Sequence, residues 1–396
     1  MREYVVSRDE RGQRLDKYLR RRLPLAPSSF IYKMLRKKNI TLRGGKADGS
    51  EKVEEGDCIR MFLSDETIAK FSGTADSLTE TEDAEKAGGP EKNKAVVEEA
   101  EAESRAYETI RPLLGRSPVL YEDENVLIVQ KPSGILSQKA SPSDISMNEW
   151  LRGYLRQQED RQTAAPGFRP TVCNRLDRNT GGILLCAKSL QGSRALSAVI
   201  RERIIRKTYQ MVVHGRVIKP GTVRAGLQKD RAGNRVSIAL TQDTSSKSIS
   251  LTSTALPVSE TSSDRSMAGE KTGPVRHAET VYRPLRTGRR TTLVEADLIT
   301  GRSHQLRVHM ASIGHPILFD PKYGSRDLDR PFLRMIRKPR GQLLWCVETA
   351  FPDDLCEKTA ASGTGGEEIL EVLQPLAGRI FRSPVPAWWQ KLYAGQ

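Results

Sequence analysis

The chain has 396 residues and a formal net charge of +15, a length that allows two or three domains and a charge that favours a polyanion as partner. No apolar run approaches the roughly 20 residues that span a bilayer, and the N-terminus lacks the apolar core of a signal peptide, so we expect no membrane association. Five scattered cysteines include no C-x-x-C pair, which favours a reduced, cytoplasmic protein without a zinc site or disulfide framework.

Residues 1–65 are predicted to form a small unit of two helices and a short β portion. Apolar side chains recur at helical spacing from Leu15 and again from Phe30, and residues 40–63 indicate strands around a glycine turn. Clustered like charge repels itself unless a partner neutralises it, so we expect a polyanion partner rather than only a solvated face. The basic residues assigned to that contact are Lys17, Arg20, Arg21, Lys33, Arg36, Lys37 and Lys38.

Residues 66–108 are predicted to be an acidic flexible linker. They are rich in glutamate, nearly free of aromatic residues and interrupted by Gly88-Gly89-Pro90. Such a composition cannot bury enough apolar surface to fold alone, and a short helix over residues 95–106 is the alternative. A larger domain is therefore placed at residues 109–396.

The larger domain begins with a strand, an acidic turn and a second strand. Residues 119–121 and 126–129 are the predicted strands, and they lead to Lys131-Pro132-Ser133-Gly134. Residues 147–155 carry apolar side chains at i, i+3, i+4, i+7 and i+8. This spacing predicts an amphipathic helix with Trp150 in the core.

A charged loop then precedes an apolar run. Residues 174–182, with the sequence NRLDRNTGG, place the carboxylate of Asp177 between two arginines. Residues 183–187 have the length of a buried strand, and a helix is predicted over residues 191–203. Taken alone, the loop could be an ordinary turn in which Asp177 bonds backbone N–H groups.

Two further motifs lie on predicted strands or directly after them. Residues 207–213 are rich in β-forming side chains. Spacing alone leaves open whether Tyr209 is a core residue or a stacking platform. A strand over residues 291–299 leads to GRSHQLRVH at residues 301–309, where Ser303 can cap a helix that runs to about residue 313.

Three histidines near this last motif raise the question of a metal site. His304 and His309 are five residues apart, which puts them on different helix faces. A zincin instead has its two histidines four residues apart on one face. His315 follows only after a glycine, so we predict no metal site.

Two stretches carry no recognisable chemistry. Residues 241–274 are dense in serine and threonine and are predicted to be a polar surface insertion. Beyond a predicted strand over residues 342–351, Trp388 and Trp389 could cap the core or form a dimer contact. The sequence does not decide between these two, and we expect a monomer.

These motifs together resemble the RluA-type pseudouridine synthases. The family pattern is His-Arg-Leu-Asp, two variable residues, Thr-Ser-Gly, and in residues 174–182 Arg175, Leu176, Asp177, Thr180 and Gly181 keep register. Asn174 stands in place of His, and Gly182 stands beside Gly181 where the pattern has a Ser-Gly pair. Its Lys-x-Tyr motif matches residues 207–209, and Gly-Arg-Thr-His-Gln-Leu-Arg-x-His matches residues 301–309. Residues 1–65 resemble the S4 RNA-binding domain that many members carry.

The resemblance implies an α+β fold with a mixed, mainly antiparallel sheet, flanking helices and a central catalytic cleft. It makes Asp177 the reacting carboxylate, with Arg307 favouring its ionised form and Tyr209 stacking on the target base. Arg175 is expected to fill the gap left by the extruded uridine. The other substrate-binding residues would be Lys207, Arg302, His304 and Gln305.

The implied function is isomerisation of uridine to pseudouridine in structured RNA, with 23S ribosomal RNA as the expected substrate. The reaction exchanges one C–N bond for one C–C bond within the substrate, so it requires no cofactor or metal. The alternatives are transfer RNA as substrate, or a non-catalytic RNA-binding or ribosome-assembly factor. A glycosidase ranks last because it needs two carboxylates around the bond.

Overall fold

The computed structural model describes residues 1–7, 10–71, 90–115, 117–158, 168–230, 235–239, 274–336, 341–364 and 366–393. Apart from Pro274, the predicted insertion at residues 241–274 lies outside the described residues. Within the described ranges, no helix combines the length and apolar character of a membrane span.

The helices are α1 (Leu15–Arg22), α2 (Ser28–Arg36), α3 (Asp65–Phe71), α4 (Pro90–Ile110), α5 (Met147–Arg156), α6 (Leu190–Arg201), α7 (Gln305–Ser312), α8 (Arg326–Asp329), α9 (Leu355–Ala361), α10 (Glu367–Leu373) and α11 (Gln390–Tyr393). The strands are β1 (Arg2–Val5), β2 (Ile40–Leu42), β3 (Gly45–Lys46), β4 (Cys58–Met61), β5 (Val119–Glu122), β6 (Val126–Lys131), β7 (Thr171–Val172), β8 (Gly181–Ala187), β9 (Arg206–His214), β10 (Gly221–Asp230), β11 (Arg235–Ala239), β12 (Arg276–Thr287), β13 (Thr291–Leu298), β14 (Leu344–Ala350) and β15 (Ile380–Arg382).

The N-terminal residues form a four-stranded antiparallel sheet of order β1-β4-β2-β3, beside helices α1 and α2. The apolar stripes of both helices are buried in one core with Ile40 and Ile59 of the sheet. The predicted helices and strands are therefore present. The intervening basic side chains lie outside that core, because a helix with one apolar stripe leaves its other faces to solvent.

The expectation of a flexible linker over residues 66–108 is wrong for the parts that α3 and α4 occupy. Ile68 of α3 is buried in the N-terminal core. Ala106 and Ile110 are buried, and α4 packs against α5. The close approach requires Gly153 of α5, since a Cβ there would lie 2.5 Å from the carbonyl oxygen of Glu103. Arg156 Nε lies 2.7 Å from the buried Glu103 carboxylate, so a few apolar contacts and a neutralised acid suffice to dock this helix.

A second sheet of eleven strands forms the centre of the large unit. Its main order is β11-β10-β12-β13-β9-β14-β8-β6-β5, with β15 on β14 and β7 on β8. Strands β8 and β14 are parallel, whereas the other strand pairs of the described residues are antiparallel. The prediction of a mixed, mainly antiparallel sheet with flanking helices is confirmed, and the fully buried β8 lies between β14 and β6.

Candidate active site

The loop that carries Asp177 is fixed by side chains on both sides. Asn174, at the position where the family has a histidine, accepts the Leu185 N–H at 2.7 Å and so ties the loop to β8. Ser137 Oγ donates to the Leu176 carbonyl at 2.9 Å. Gly182 has φ +106°, and a Cβ there would lie 2.2 Å from the Cys346 carbonyl oxygen. These contacts leave the Asp177 carboxylate directed away from the core, with 30% of its side chain exposed.

Arg307 of α7 joins two carboxylates. Its Nη1 donates to Asp177 Oδ2 at 2.9 Å, while Nε and Nη2 donate to the two oxygens of Asp320 at 2.7 Å each. The Asp320 side chain is fully buried. A bidentate arginine–carboxylate pair fixes the guanidinium plane, so Asp320 sets the direction from which Arg307 meets Asp177.

His304 faces the same carboxylate oxygen. Its Nε2 lies 3.9 Å from Asp177 Oδ2, and its Nδ1 lies 2.9 Å from the Tyr323 hydroxyl, which accepts the Val236 N–H. Burial lowers the pKa of His304, which favours the neutral ring at neutral pH. Since the bonds to Asp177 fall on Oδ2, and no donor among the described residues bonds Oδ1, Oδ1 is the oxygen available to a substrate.

Lys131 is hydrogen-bonded to the backbone of the catalytic loop. The side chain is fully buried, and its Nζ donates to the carbonyls of Pro132, Ile135 and Arg178 at 2.6–3.1 Å. Burial lowers the pKa of Lys131 to about 7, while the Asp177 charge raises it. Three carbonyl acceptors match the three N–H donors of an ammonium group, so the protonated form fits this position.

Tyr209 belongs to the main hydrophobic core and lies near Asp177. It is 5% exposed on β9, opposite Cys346 of β14 and Ala296 of β13. Burial raises the pKa of Tyr209 well above its usual range, and the nearby Cys346 and Asp177 charges act in the same direction. A neutral phenol ring therefore forms the sheet-side wall near Asp177.

The remaining predicted substrate residues are distributed differently. Gln305 is buried and fully bonded: its amide donates to the Glu279 carbonyl and Thr280 Oγ1, and its Oε1 accepts from Thr300 Oγ1 and the Arg302 N–H. Its assignment to substrate binding is wrong, because no polar atom is left for a ligand. Ser303 does not cap α7 either, since His304 occupies that position with φ +54°.

Three predicted residues are not bonded to Asp177. Arg175 is exposed on the same loop, and Lys207 is half-buried on β9. Arg302 donates from Nε to the His277 carbonyl at 3.1 Å. Asp320, Tyr323 and Lys131 were not assigned a role from the sequence, although the first two stand in the motif DPKYG, whose polar residues after a helix could have indicated them.

Residues 125–312 match the family model described as RNA pseudouridylate synthase. Ribosomal large subunit pseudouridine synthase C of Rickettsia bellii is 31% identical over 319 residues, which cover 80% of this chain and 84% of that protein. The chain belongs to the RNA pseudouridylate synthase family. The enzyme of the same name from Pasteurella multocida is 28% identical over 84% of this chain and 80% of its own length. Human RNA Pseudouridylate Synthase Domain Containing 4 aligns with a TM-score of 0.48 and 18% identity, over 73% of this chain and 97% of that chain.

Family membership makes the chain a pseudouridine synthase, which isomerises uridine in RNA. The site has one available carboxylate, because both oxygens of Asp320 are bonded to Arg307. This arrangement differs from the two flanking carboxylates of a glycoside hydrolase. Among the described residues, no three His, Cys, Asp or Glu side chains are grouped so as to hold a metal ion.

Proposed function

We propose that this synthase converts a uridine of large-subunit ribosomal RNA into pseudouridine, with Asp177 as the reacting carboxylate. The observation that carries the proposal is the one-sided anchoring of Asp177: Arg307 holds Oδ2 at 2.9 Å, and Oδ1 remains available. The substrate class is supported by the names of the relatives from Rickettsia bellii and Pasteurella multocida. A cytoplasmic location would follow from that substrate.

The proposed roles follow from burial and charge. Asp177 acts at the sugar or the uracil ring, and Arg307 orients it through the 2.9 Å bond to Oδ2. Tyr209 forms the wall on which the extruded base packs, and His304 limits the space beside Oδ2. Arg175 is exposed and long enough to enter the stack from which the uridine has been removed. Arg302 and Lys207 supply positive charge nearer the RNA backbone.

The N-terminal unit is proposed to be an S4-like RNA anchor. Six of its seven assigned basic residues are exposed, and the seventh, Arg21, is half-buried in a groove that Arg194 of α6 also lines. Burial lowers the pKa of Arg21, whereas the charge of Glu10 raises it. Arg194 donates to the Arg11 carbonyl at 2.8 Å, and no acidic side chain of the described residues lines the groove. Two neighbouring guanidinium groups in such a groove favour a phosphate between them.

The test is in vitro modification of two RNA classes. Purified full-length protein is incubated with transcribed large-subunit ribosomal RNA and with transfer RNA, and pseudouridines are mapped chemically in both. We expect one or a few modified uridines in ribosomal RNA, none in transfer RNA, and none in either with Asp177→Asn. Modification of transfer RNA alone would contradict the substrate class, and unchanged turnover by Asp177→Asn would contradict the role of the carboxylate.

A further inference from the structure

A cavity of about 610 Å³ opens beside the catalytic loop. Its wall on one side is Ser133 and Asn179, and on the other side it includes Trp388 and Lys391 near the C-terminus. The volume is in the range of small-ligand pockets and can hold a nucleobase with its sugar. None of the proposed catalytic residues lines it, so the roles assigned above leave this cavity unexplained.

Three tryptophans in successive contact extend from the catalytic loop to the opening of the cavity. The ring of Trp345 lies over Gly181, where a Cβ would be 2.1 Å away, so the glycine in place of the family's serine makes room for it. Trp389 packs edge-on against Trp345 at 6.4 Å, and Trp388 packs against Trp389 at 6.1 Å. Trp388 is 38% exposed, which leaves part of an indole face free for stacking.

Residues that line the cavity contact the catalytic loop directly. Ser133 Oγ donates to the Asn179 carbonyl at 2.7 Å, and Gln342 Nε2 lies 3.3 Å from Thr180 Oγ1. Gly341, with φ +119°, packs so closely on Asn179 that a Cβ would lie 2.2 Å from the amide nitrogen. An occupant would therefore touch Asn179, two residues from Asp177.

The lining of the cavity suits the face of a nucleobase. Its leucines, prolines and tryptophans supply the flat apolar surface against which a base stacks. Lys391 is exposed at the wall and can meet the phosphate of the same nucleotide.

We propose that this cavity binds one unpaired base that flanks the target uridine, stacked on Trp388. The inference rests on the RNA substrate proposed above and names a second nucleotide of that substrate. Extruding one nucleotide breaks the stacking of its neighbour, so a platform beside the catalytic loop compensates part of that loss. Because stacking is tolerant of base identity, the site selects for an unpaired neighbour more than for a particular base.

The first experiment replaces each nucleotide on either side of the target uridine by an abasic residue, one at a time, in an RNA hairpin substrate. With wild-type enzyme, one abasic position should lower kcat/KM about tenfold, and the others should have little effect. Trp388→Ala should lower kcat/KM on intact RNA by about the same factor. On the abasic RNA, the kcat/KM of Trp388→Ala should equal that of the wild-type enzyme. Trp388→Phe should retain most of the activity. Phe62→Ala, which removes a 49% exposed aromatic residue of the N-terminal unit, is the matched control.

The second readout does not depend on turnover. The fluorescent base 2-aminopurine is placed at the sensitive flanking position, or at each flanking position in turn if no turnover is seen. Its emission should be quenched when Asp177→Asn binds, and less so when Trp388→Ala is added to that variant. Quenching by Asp177→Asn together with absent wild-type turnover would support the cavity assignment and contradict the proposed function.

Three outcomes would overturn the inference. The first is wild-type turnover that is insensitive to every abasic position, with no tryptophan-dependent quenching. The second is an additive effect of Trp388→Ala and the abasic residue, which would show that they act at different places. The third is that Trp388→Ala halves the particle mass in solution and leaves the RNA readouts unchanged, in which case the indole covers a second copy of the chain and not a base.

Discussion

The active site and the N-terminal unit both contain functional basic residues, but these residues are buried in the active site and exposed in the N-terminal unit. Arg307 and Lys131 are buried and hold fixed bonds to carboxylates or carbonyls, whereas Lys33 and Lys37 lie exposed on α2 and directly after it. A buried charge must be paired to remain buried, so it acquires a fixed direction. An exposed charge is free to meet phosphates in any arrangement and contributes affinity. Burial therefore separates the groups that orient chemistry from those that retain RNA.

The largest expected effect tests the buried side of this comparison. Asp177→Asn keeps the shape of the side chain and removes its charge, so it should lower the rate of pseudouridine formation by at least about 10³-fold. RNA affinity should change little, because the phosphate contacts lie elsewhere. Single-turnover rates and a binding titration measure the two effects separately. Asp144→Asn, which removes a neighbouring carboxylate paired with Arg178, is the control and should remain active.

The next largest effect concerns the direction of the guanidinium. Arg307→Lys keeps the charge but loses the planar fork that bonds Asp320 and Asp177 at once, so we expect about a 10²-fold loss of kcat/KM. The Asp320 carboxylate would remain buried with fewer bonds, and the free energy of unfolding should fall by roughly 3 kcal/mol. Denaturant unfolding and single-turnover kinetics measure the two quantities.

The matched control for that variant is Arg283→Lys. Arg283 also bonds a carboxylate, that of Glu295, but its side chain is 67% exposed. An exposed pair contributes little to stability, so this variant should resemble wild type in both measurements. Equal losses in the two arginine variants would contradict the distinction between buried and exposed charge.

A smaller effect should appear in the pH dependence of stability. His309 is fully buried, with Nδ1 2.9 Å from Thr280 Oγ1, and burial lowers its pKa to about 4. The unfolded chain, with an ordinary histidine pKa near 6.5, binds the proton more tightly than the folded chain. The free energy of unfolding should therefore be highest above pH 6.5 and fall as the pH is lowered toward 4, by up to about 3 kcal/mol from this residue.

Urea unfolding at pH 7.5 and pH 5 measures this contribution. In His309→Gln the side chain no longer titrates, so the difference in unfolding free energy between the two pH values should shrink. An unchanged difference would show that His309 is already charged in the folded protein.

The smallest effect per residue is expected in the N-terminal unit. Lys33→Gln, Arg36→Gln and Lys37→Gln should each flatten the salt dependence of RNA binding, by up to about 0.9 in the logarithmic slope for a duplex contact. Turnover at saturating RNA should be unchanged. Arg224→Gln is the control, since Arg224 is paired with Glu279 at 2.8 Å. Identical slopes for all variants would mean that this face does not meet phosphates.

Helices and strands could be predicted well from the sequence, whereas the contacts between the site residues could be predicted only in part. Periodicity located α5 and α6 because burial of one stripe is a local property. The pairing of Asp177 with Arg307 came from the family resemblance, since no local pattern joins residues 130 positions apart. The error at Gln305 has a physical cause: whether a polar side chain serves a ligand or the protein depends on the bonds it finds in the folded core.

The linker error at α4 has a related cause. Its composition is acidic, but docking depends on a few positions, Ala106 and Ile110, and on Gly153 and Arg156 of another helix. The composition of a segment averages over such positions and contains no information about a partner elsewhere in the chain. The residues that decide the docking of α4 therefore lie partly outside the stretch whose composition was considered.

The position of β14 between β8 and β9 has a consequence for biosynthesis. The Asp177 loop immediately precedes β8, whereas Tyr209 lies on β9 and Arg307 on α7, which packs against β12. The strand β14, which joins β8 to β9, is translated after all three residues. The alignment of the carboxylate with its arginine therefore depends on a later segment of the chain. A nascent chain that has not yet released residue 350 from the ribosome is expected to be inactive.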